Sequence, residues 1–306
     1  MILTFLGTSA GTITTERNVS ASLLQLTARS NRLWLFDCGE GTQHQMLKAK
    51  ISLSKLEKIF ITHLHGDHIF GLPGLLASRS LNQHAMPLTI YGPKGIRQFI
   101  EMTLNISCSM MTYPLQIVEI EQATTLYKDE QVTIYCDELA HRVQCFGYRI
   151  EEAERAPKLD IVKLQTENIP VGSLYGELKK GKIITMPDGK ILDGKNYWLG
   201  KKPGFKIAIL GDTTPCDASI RLASEVDLLV HEATFKHELQ EKAQLVGHST
   251  TVDAANIAKI CQVKRLIITH ISTRYGLSDN ESLLAECRQI FPQTDIAYDL
   301  FQVNLV

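Results

Sequence analysis

The stretch Thr62-His63-Leu64-His65-Gly66-Asp67-His68 places four potential metal ligands within six residues, directly behind the apolar run Lys58–Thr62. A run that short, closed by a polar turn, reads as a buried strand. A single histidine is more often a satisfied structural residue than a ligand. Three histidines and an aspartate around a glycine are different, because desolvating them together is costly unless a cation compensates. Imidazole nitrogens and a carboxylate suit borderline divalent metals, with zinc the leading candidate and manganese or cobalt able to use the same donors. Alternation along the chain can aim His63 and His65 at one ion. The turn at Gly66 then lets Asp67 and His68 face a second ion nearby.

Two ions need more donors than this segment supplies, and suitable ones recur where other apolar runs end. His141 follows Glu138-Leu139-Ala140, Asp212 follows Ile207–Gly211, and His270 follows Leu266–Thr269. The carboxyl ends of strands converge at one edge of an α/β sheet, which is where such folds place their sites. The expected set is His63, His65 and His141 for one ion, Asp67, His68 and His270 for the other, and Asp212 able to bridge. Further strands are expected at Ile2–Leu6, Leu33–Phe36, Leu88–Tyr91, Val132–Cys136, Phe146–Ile150 and Leu228–Val230. Helices are expected at Gln43–Lys48, Leu72–Arg79, Ile96–Leu104, Asp253–Cys261 and Glu281–Ile290. The class is α/β.

Composition sets the outer bounds. The 306 residues are 44% hydrophobic and 21% charged, with 20 Gly and 10 Pro, which is enough apolar material for a core and excludes collagen-like or wholly disordered chains. No apolar run reaches the ~18–20 residues that span a bilayer. The opening MILTFLGTSAGT carries no basic stretch ahead of an apolar one, so no secretory signal is expected. Seven scattered cysteines without a CxxC pair argue against a disulfide framework and for a reducing, cytoplasmic setting. Net charge is −1, which by itself suggests no nucleic-acid partner. Its distribution says more: from Lys158 to Lys206, 10 lysines face 5 acidic residues. That segment is polar, glycine-broken and weakly periodic. It reads as an inserted arm at 153–202, with a short helix and a hairpin around Pro187-Asp188-Gly189.

The histidine motif, the later His141, Gly211-Asp212-Thr213 and Thr269-His270 resemble the metallo-β-lactamase superfamily. The chain is similar more narrowly to its tRNA 3′-processing branch, the ribonuclease Z/ribonuclease BN family. That likeness rests on Phe5-Leu6-Gly7-Thr8, Trp34–Glu40, Gly71-Leu72-Pro73-Gly74-Leu75, His231-Glu232-Ala233-Thr234-Phe235, Gly247-His248-Ser249-Thr250 and Ser272–Tyr275. The resemblance implies a four-layer αββα sandwich over residues 1–306, two Zn2+ on the seven residues above, and Asp67 as proton acceptor. It implies a homodimer whose basic arm is a flexible grip on the tRNA body, with Lys179, Lys180 and Lys182 as RNA contacts. The expected activity is removal of 3′ trailers from tRNA precursors by a metal-activated water, leaving a 3′-hydroxyl, with exonucleolytic trimming sharing that chemistry.

The leaving 3′-oxygen needs a proton, for which His248 oriented by Glu232 is the candidate acid. Asp37 reads as a buried acceptor that fixes a ligand imidazole. His44, His84 and His237 read as surface residues. Two departures from the family pattern stand out. The loop Ile13–Asn18 keeps only Arg17 and Asn18 of the usual Pro-x-Lys-x-Arg-Asn; it bears on recognition of the RNA 3′ end, and Arg17 and Asn18 are expected to contact RNA there. Pro170-Val171-Gly172-Ser173 lacks the second proline and Gly-Pro step usual in the arm. Competing readings are another hydrolase on this scaffold (broad phosphodiesterase, thioester or lactam hydrolase), a redox di-iron enzyme, or a non-catalytic RNA-binding protein.

Overall fold

Leu33, Trp34, Leu35 and Phe36 are all buried, yet alternate side chains enter different cores. Leu33 and Leu35 pack with Met46, Leu72, Leu76, Ile96 and Ile100 from three helices. Trp34 and Phe36 point the other way, onto Phe60, whose ring stacks on Tyr91 at 5.1 Å and tilts against Tyr148 at 5.4 Å. Tyr148 belongs to the opposing sheet. A sheet buried on both faces needs no polar alternation, which is why its strands read as continuous apolar runs.

The computed structural model describes residues 1–26, 32–82, 86–154, 157–200 and 203–305. One sheet runs in the order Gln302–Asn304, Ile2–Gly7, Ala21–Leu26, Arg32–Phe36, Leu56–Phe60, Leu88–Pro93, Leu115–Ile120. Its first three pairings are antiparallel and its last three parallel. The other runs Thr294–Ile296, Leu266–Thr269, Leu228–Glu232, Lys206–Ile209, Cys145–Glu152, Val132–Leu139, Thr124–Lys128. Parallel pairs join its first four strands. There Ala208, Leu229, Leu266 and Ile268 pack on helices Asp217–Ala223, Thr251–Ile260 and Asn280–Ile290 through Leu222, Ala254, Ala258 and Leu283. Helices Thr42–Lys48, Leu72–Ser80 and Ile96–Ile106 cover the first sheet. The layers are therefore αββα, as the resemblance implies.

A separate compact unit comprises Asp129–Thr133 and Glu151–Phe205. It carries two short helices, Ile161–Thr166 and Ser173–Lys179, where the sequence suggests one. The hairpin Ile183–Thr185/Ile191–Asp193 brackets Pro187–Gly189. Leu164, Ile169, Leu178, Leu192 and Tyr197 give the unit its own small core. All seven cysteines are free. Among the described residues no helix is long and apolar enough to cross a membrane.

Candidate metal centre

Several strands end at one place. Leu56–Phe60 delivers the segment from Thr62 to His68, Lys206–Ile209 delivers Asp212, and Leu266–Thr269 delivers His270; His141 follows Val132–Leu139. Asp37 and His270 leave their strands with φ of 58° and 56°, a left-handed conformation that non-glycine residues adopt only occasionally. Gly39 is required by a close crossing, since a Cβ there would meet the Asp67 carbonyl oxygen at 2.3 Å.

The seven expected side chains converge. Ligand atoms of His63, His65, His141 and Asp212 form one group and those of Asp67, His68 and His270 a second, each within 4.8 Å of one another. His65 Nδ1 lies 2.9 Å from His63 Nε2 and 3.3 Å from His141 Nε2. Asp67 Oδ2 lies 3.4 Å from His270 Nε2 and 3.5 Å from His68 Nε2. Asp212 Oδ2 sits between the groups, 3.5 Å from His63 Nε2, 3.6 Å from His68 Nε2 and 3.5 Å from His270 Nε2. A tetrahedral zinc with nitrogen at ~2.0–2.1 Å would separate neighbouring donors by about 3.3–3.4 Å, so these spacings suit one cation in each group.

Four of the five histidines already have their outer imidazole nitrogen engaged. His68 Nδ1 donates to Asp37 Oδ2 at 2.7 Å and His141 Nδ1 to the Gly247 carbonyl at 2.7 Å. His63 Nδ1 meets Thr62 Oγ1 at 3.0 Å and His270 Nδ1 meets Thr234 Oγ1 at 3.0 Å. These contacts fix the rings with their other nitrogen inward. His68 Nε2 is buried with no hydrogen-bond partner. An orphaned buried nitrogen costs free energy that a bound cation removes. The donor set therefore fits metal ions.

Electrostatics agree. Burial, with the neighbouring imidazoles, holds His63 well below its usual range; burial and His141 lower His65, and burial lowers His141. All three are thus held neutral, the form that ligates. Burial opposes charge on Asp67 and Asp212 too, but the surrounding histidines outweigh it and keep both carboxyls well below the ordinary range. Burial likewise disfavours a charged His68, yet Asp37 and Asp212 hold it well above the usual imidazole range. The pocket attracts positive charge.

Glu232 and His248 lie beside this centre. The buried Glu232 carboxylate accepts from His248 Nδ1 at 2.9 Å, from the Thr213 and Ser249 backbone N–H groups at 3.1 Å each, and from Thr234 Oγ1 at 2.7 Å. Burial disfavours the His248 cation, but Glu232 outweighs it and lifts the imidazole to about 9. His248 Nδ1 lies 3.8 Å from Asp212 Oδ2 and stands in a third ligand-like group with Asp212 and His270. Its bond to Glu232 occupies that nitrogen.

The remaining expectations divide. Asp37 accepts from His68 and from the Thr62 N–H and hydroxyl, as expected of a fixing acceptor. His44 and His237 are exposed; His84 lies outside the described residues. Arg17 requires correction as an RNA contact: it is 3% exposed, and its guanidinium is taken up by Thr8, Ala297 and Asn280. Asn18 is half-buried, with its amide donating to the Glu40 carbonyl. Lys180 and Lys182 both pair with Glu177, and Lys179 is exposed. The sequence reading assigned no role to Thr62, Thr234 or the Gly247 carbonyl. Thr62 and Thr234 lie inside quoted motifs, but a backbone carbonyl leaves no signal in a sequence.

A family profile described as "Anti-Pycsar protein Apyc1" matches residues 1–144. Ribonuclease BN of Proteus mirabilis (strain HI4320) is 54% identical over 299 residues, covering 98% of each chain. Ribonuclease BN of Escherichia coli (strain K12) is 50% identical over 307 residues, covering all of both. Among solved structures, the short form of human tRNase Z superposes with a TM-score of 0.71 at 31% identity, covering 99% of each chain. The metallo-β-lactamase-fold protein YhfI from Bacillus subtilis, at 21% identity and TM-score 0.69 over 99% of this chain and 98% of its own, shares the fold. Full-length identity of this order, on a fold and donor cluster of the same kind, makes the chain a member of the ribonuclease BN family.

Proposed function

We propose that this chain is a metal-dependent endoribonuclease that removes 3′ trailers from tRNA precursors and leaves a 3′-hydroxyl. Trimming from the 3′ end draws on the same chemistry. The observation that carries the reading is the inward convergence of seven donors, four of whose imidazoles are held by the protein through their outer nitrogen. The full-length likeness to proteins named ribonuclease BN and tRNase Z supports RNA, and tRNA in particular, as the substrate.

In this reading His63, His65 and His141 would hold one Zn2+ and Asp67, His68 and His270 the other, with Asp212 available to either; Mn2+ or Co2+ could use the same donors. When bound, such a pair acidifies a water and clamps phosphate oxygens. Asp67 orients the attacking water and accepts its proton. His248, kept protonated at neutral pH by Glu232, delivers a proton to the departing 3′-oxygen. Glu232, fixed by two backbone N–H groups and Thr234, keeps the His248 ring aimed. Lysines 179, 180 and 182 serve as phosphate contacts far from the cut, which position an RNA without reading its sequence. Lys180 and Lys182 would exchange Glu177 for phosphate. The family likeness supports a homodimer, and the free cysteines support a cytoplasmic setting.

The test is incubation of metal-replete protein with an end-labelled tRNA precursor, with and without CCA. A single cut at the trailer junction with a 3′-hydroxyl product is expected. Turnover of a lactam or thioester with the precursor left intact would overturn the reading.

A further inference from the structure

The backbone N–H of Gly11 donates to Asp67 Oδ2 at 2.8 Å. That oxygen is the one facing His68 and His270. Gly11 reaches it with φ of +73°, a conformation that disfavours any side chain. Its loop touches the same half of the centre a second time. Ser9–Ala10 pairs in parallel with Ile271–Ser272, and the Ile271 N–H donates to the Thr8 carbonyl at 2.9 Å, securing the residue after His270.

Arg17 holds this loop from within. Its Nη1 donates to Thr8 Oγ1 at 2.8 Å and to the Ala297 carbonyl at 2.7 Å, and its Nη2 donates to Asn280 Oδ1 at 2.8 Å. The following carbonyl, of Asn18, accepts from both the Thr8 and Ser9 N–H groups at 2.8 Å. A rigid guanidinium fork thereby ties three chain segments at fixed spacing, which a lysine's single ammonium does not reproduce. Among the described residues no hydrogen bond joins residues 8–18 to His63, His65 or His141.

We propose that Arg17 is a positioning residue for the Asp67–His68–His270 half of the centre, acting through Thr8 and Gly11, and that the His63–His65–His141 half is independent of it. The proposal rests on the reading of Asp67 and His270 as cation ligands. It gives the Arg17-Asn18 pair an inward task in place of contact with RNA.

The experiment is titration of the full, metal-stripped chain with Co2+ alone, followed by its absorption and by chelator competition. Wild type takes up two ions. Arg17→Ala retains one at wild-type affinity and binds the other up to ~10-fold more weakly, less than the ~10–100-fold loss that follows removal of a group bonded directly to a metal ligand. Added guanidinium restores part of the loss, and saturating Co2+ restores hydrolysis of a small phosphodiester. Unchanged affinity for both ions, or equal weakening of both, overturns the proposal. Should Arg17→Ala not fold, Asn280→Ala decides: selective weakening of one ion supports the proposal and no change overturns it. A wild-type chain that binds no Co2+ overturns the underlying reading of the centre instead, and is distinguished by that result.

Discussion

Replacing Asp37 by asparagine is expected to disarm one half of the centre while leaving the other intact. Asp37 Oδ2 accepts from His68 Nδ1 at 2.7 Å and Oδ1 accepts from the Thr62 N–H at 2.8 Å, both in buried surroundings. An asparagine presents one acceptor and one donor to the three donors His68 Nδ1, the Thr62 N–H and the Thr62 hydroxyl. With its amide nitrogen toward His68, the imidazole proton must move to Nε2, the atom that faces Asp67 and Asp212. With the amide flipped, its nitrogen opposes the Thr62 N–H instead. Either arrangement leaves one mispaired buried group, worth ~1–3 kcal/mol. That matches the 10–100-fold loss, about 1.4–2.8 kcal/mol, typical of removing an outer partner of a metal ligand. Co2+ titration should therefore show one site weakened by that factor and one unchanged, with the unfolding midpoint of the metal-free chain shifted by only a few degrees. Equal loss at both sites, or none, would refute the reasoning.

Three further expectations follow from other parts of the molecule. His248→Ala should slow RNA cleavage by ~10²–10⁴-fold, with a far smaller loss on a nitrophenyl phosphodiester whose leaving group needs no proton. Because His248 is raised to about 9, its acid function should be present at neutral pH and fall as pH rises through about 9, and Glu232→Gln should move that limb to lower pH in rate profiles. The same pair adds stability that is fully present below the usual imidazole range and lost across that alkaline interval. Neutralising Lys179, Lys180 and Lys182 together should raise KM for a tRNA precursor and flatten its salt dependence while sparing a small phosphodiester; equal losses on both would refute a remote grip. Phe60→Ala, which empties the centre of the aromatic layer between the sheets, should cost ~3–5 kcal/mol in urea denaturation.

The strands that bury both faces were legible because Leu33–Phe36 or Leu266–Thr269 can only be interior. Those that were not legible lie mostly at sheet edges. Gln302–Asn304 buries only Val303, and Thr124–Lys128 has no fully buried residue, so neither carries an apolar signature. Ala21–Leu26 is buried almost throughout but has no β-branched residue to mark it as extended. At the centre, the donors were readable because histidine and aspartate clusters are costly without a purpose. The inward use of Arg17 was not readable, since an arginine near a candidate substrate loop looks the same whether it faces solvent or the Ala297 carbonyl. Nor does any sequence pattern announce that the Gly11 N–H, a main-chain group, reaches across 56 positions to Asp67.

The two sheets each hold an incomplete set of donors, and that division has a consequence for synthesis. The segment from His63 to His68 follows a strand of one sheet, whereas Asp212 and His270 follow strands of the other. Until residue 270 has left the ribosome a nascent polypeptide lacks at least one of the seven donors, and the first sheet still lacks its Gln302–Asn304 strand. A nuclease born amid ribosomal and transfer RNA is thus inert throughout most of its own translation, armed only by the late docking of its second half.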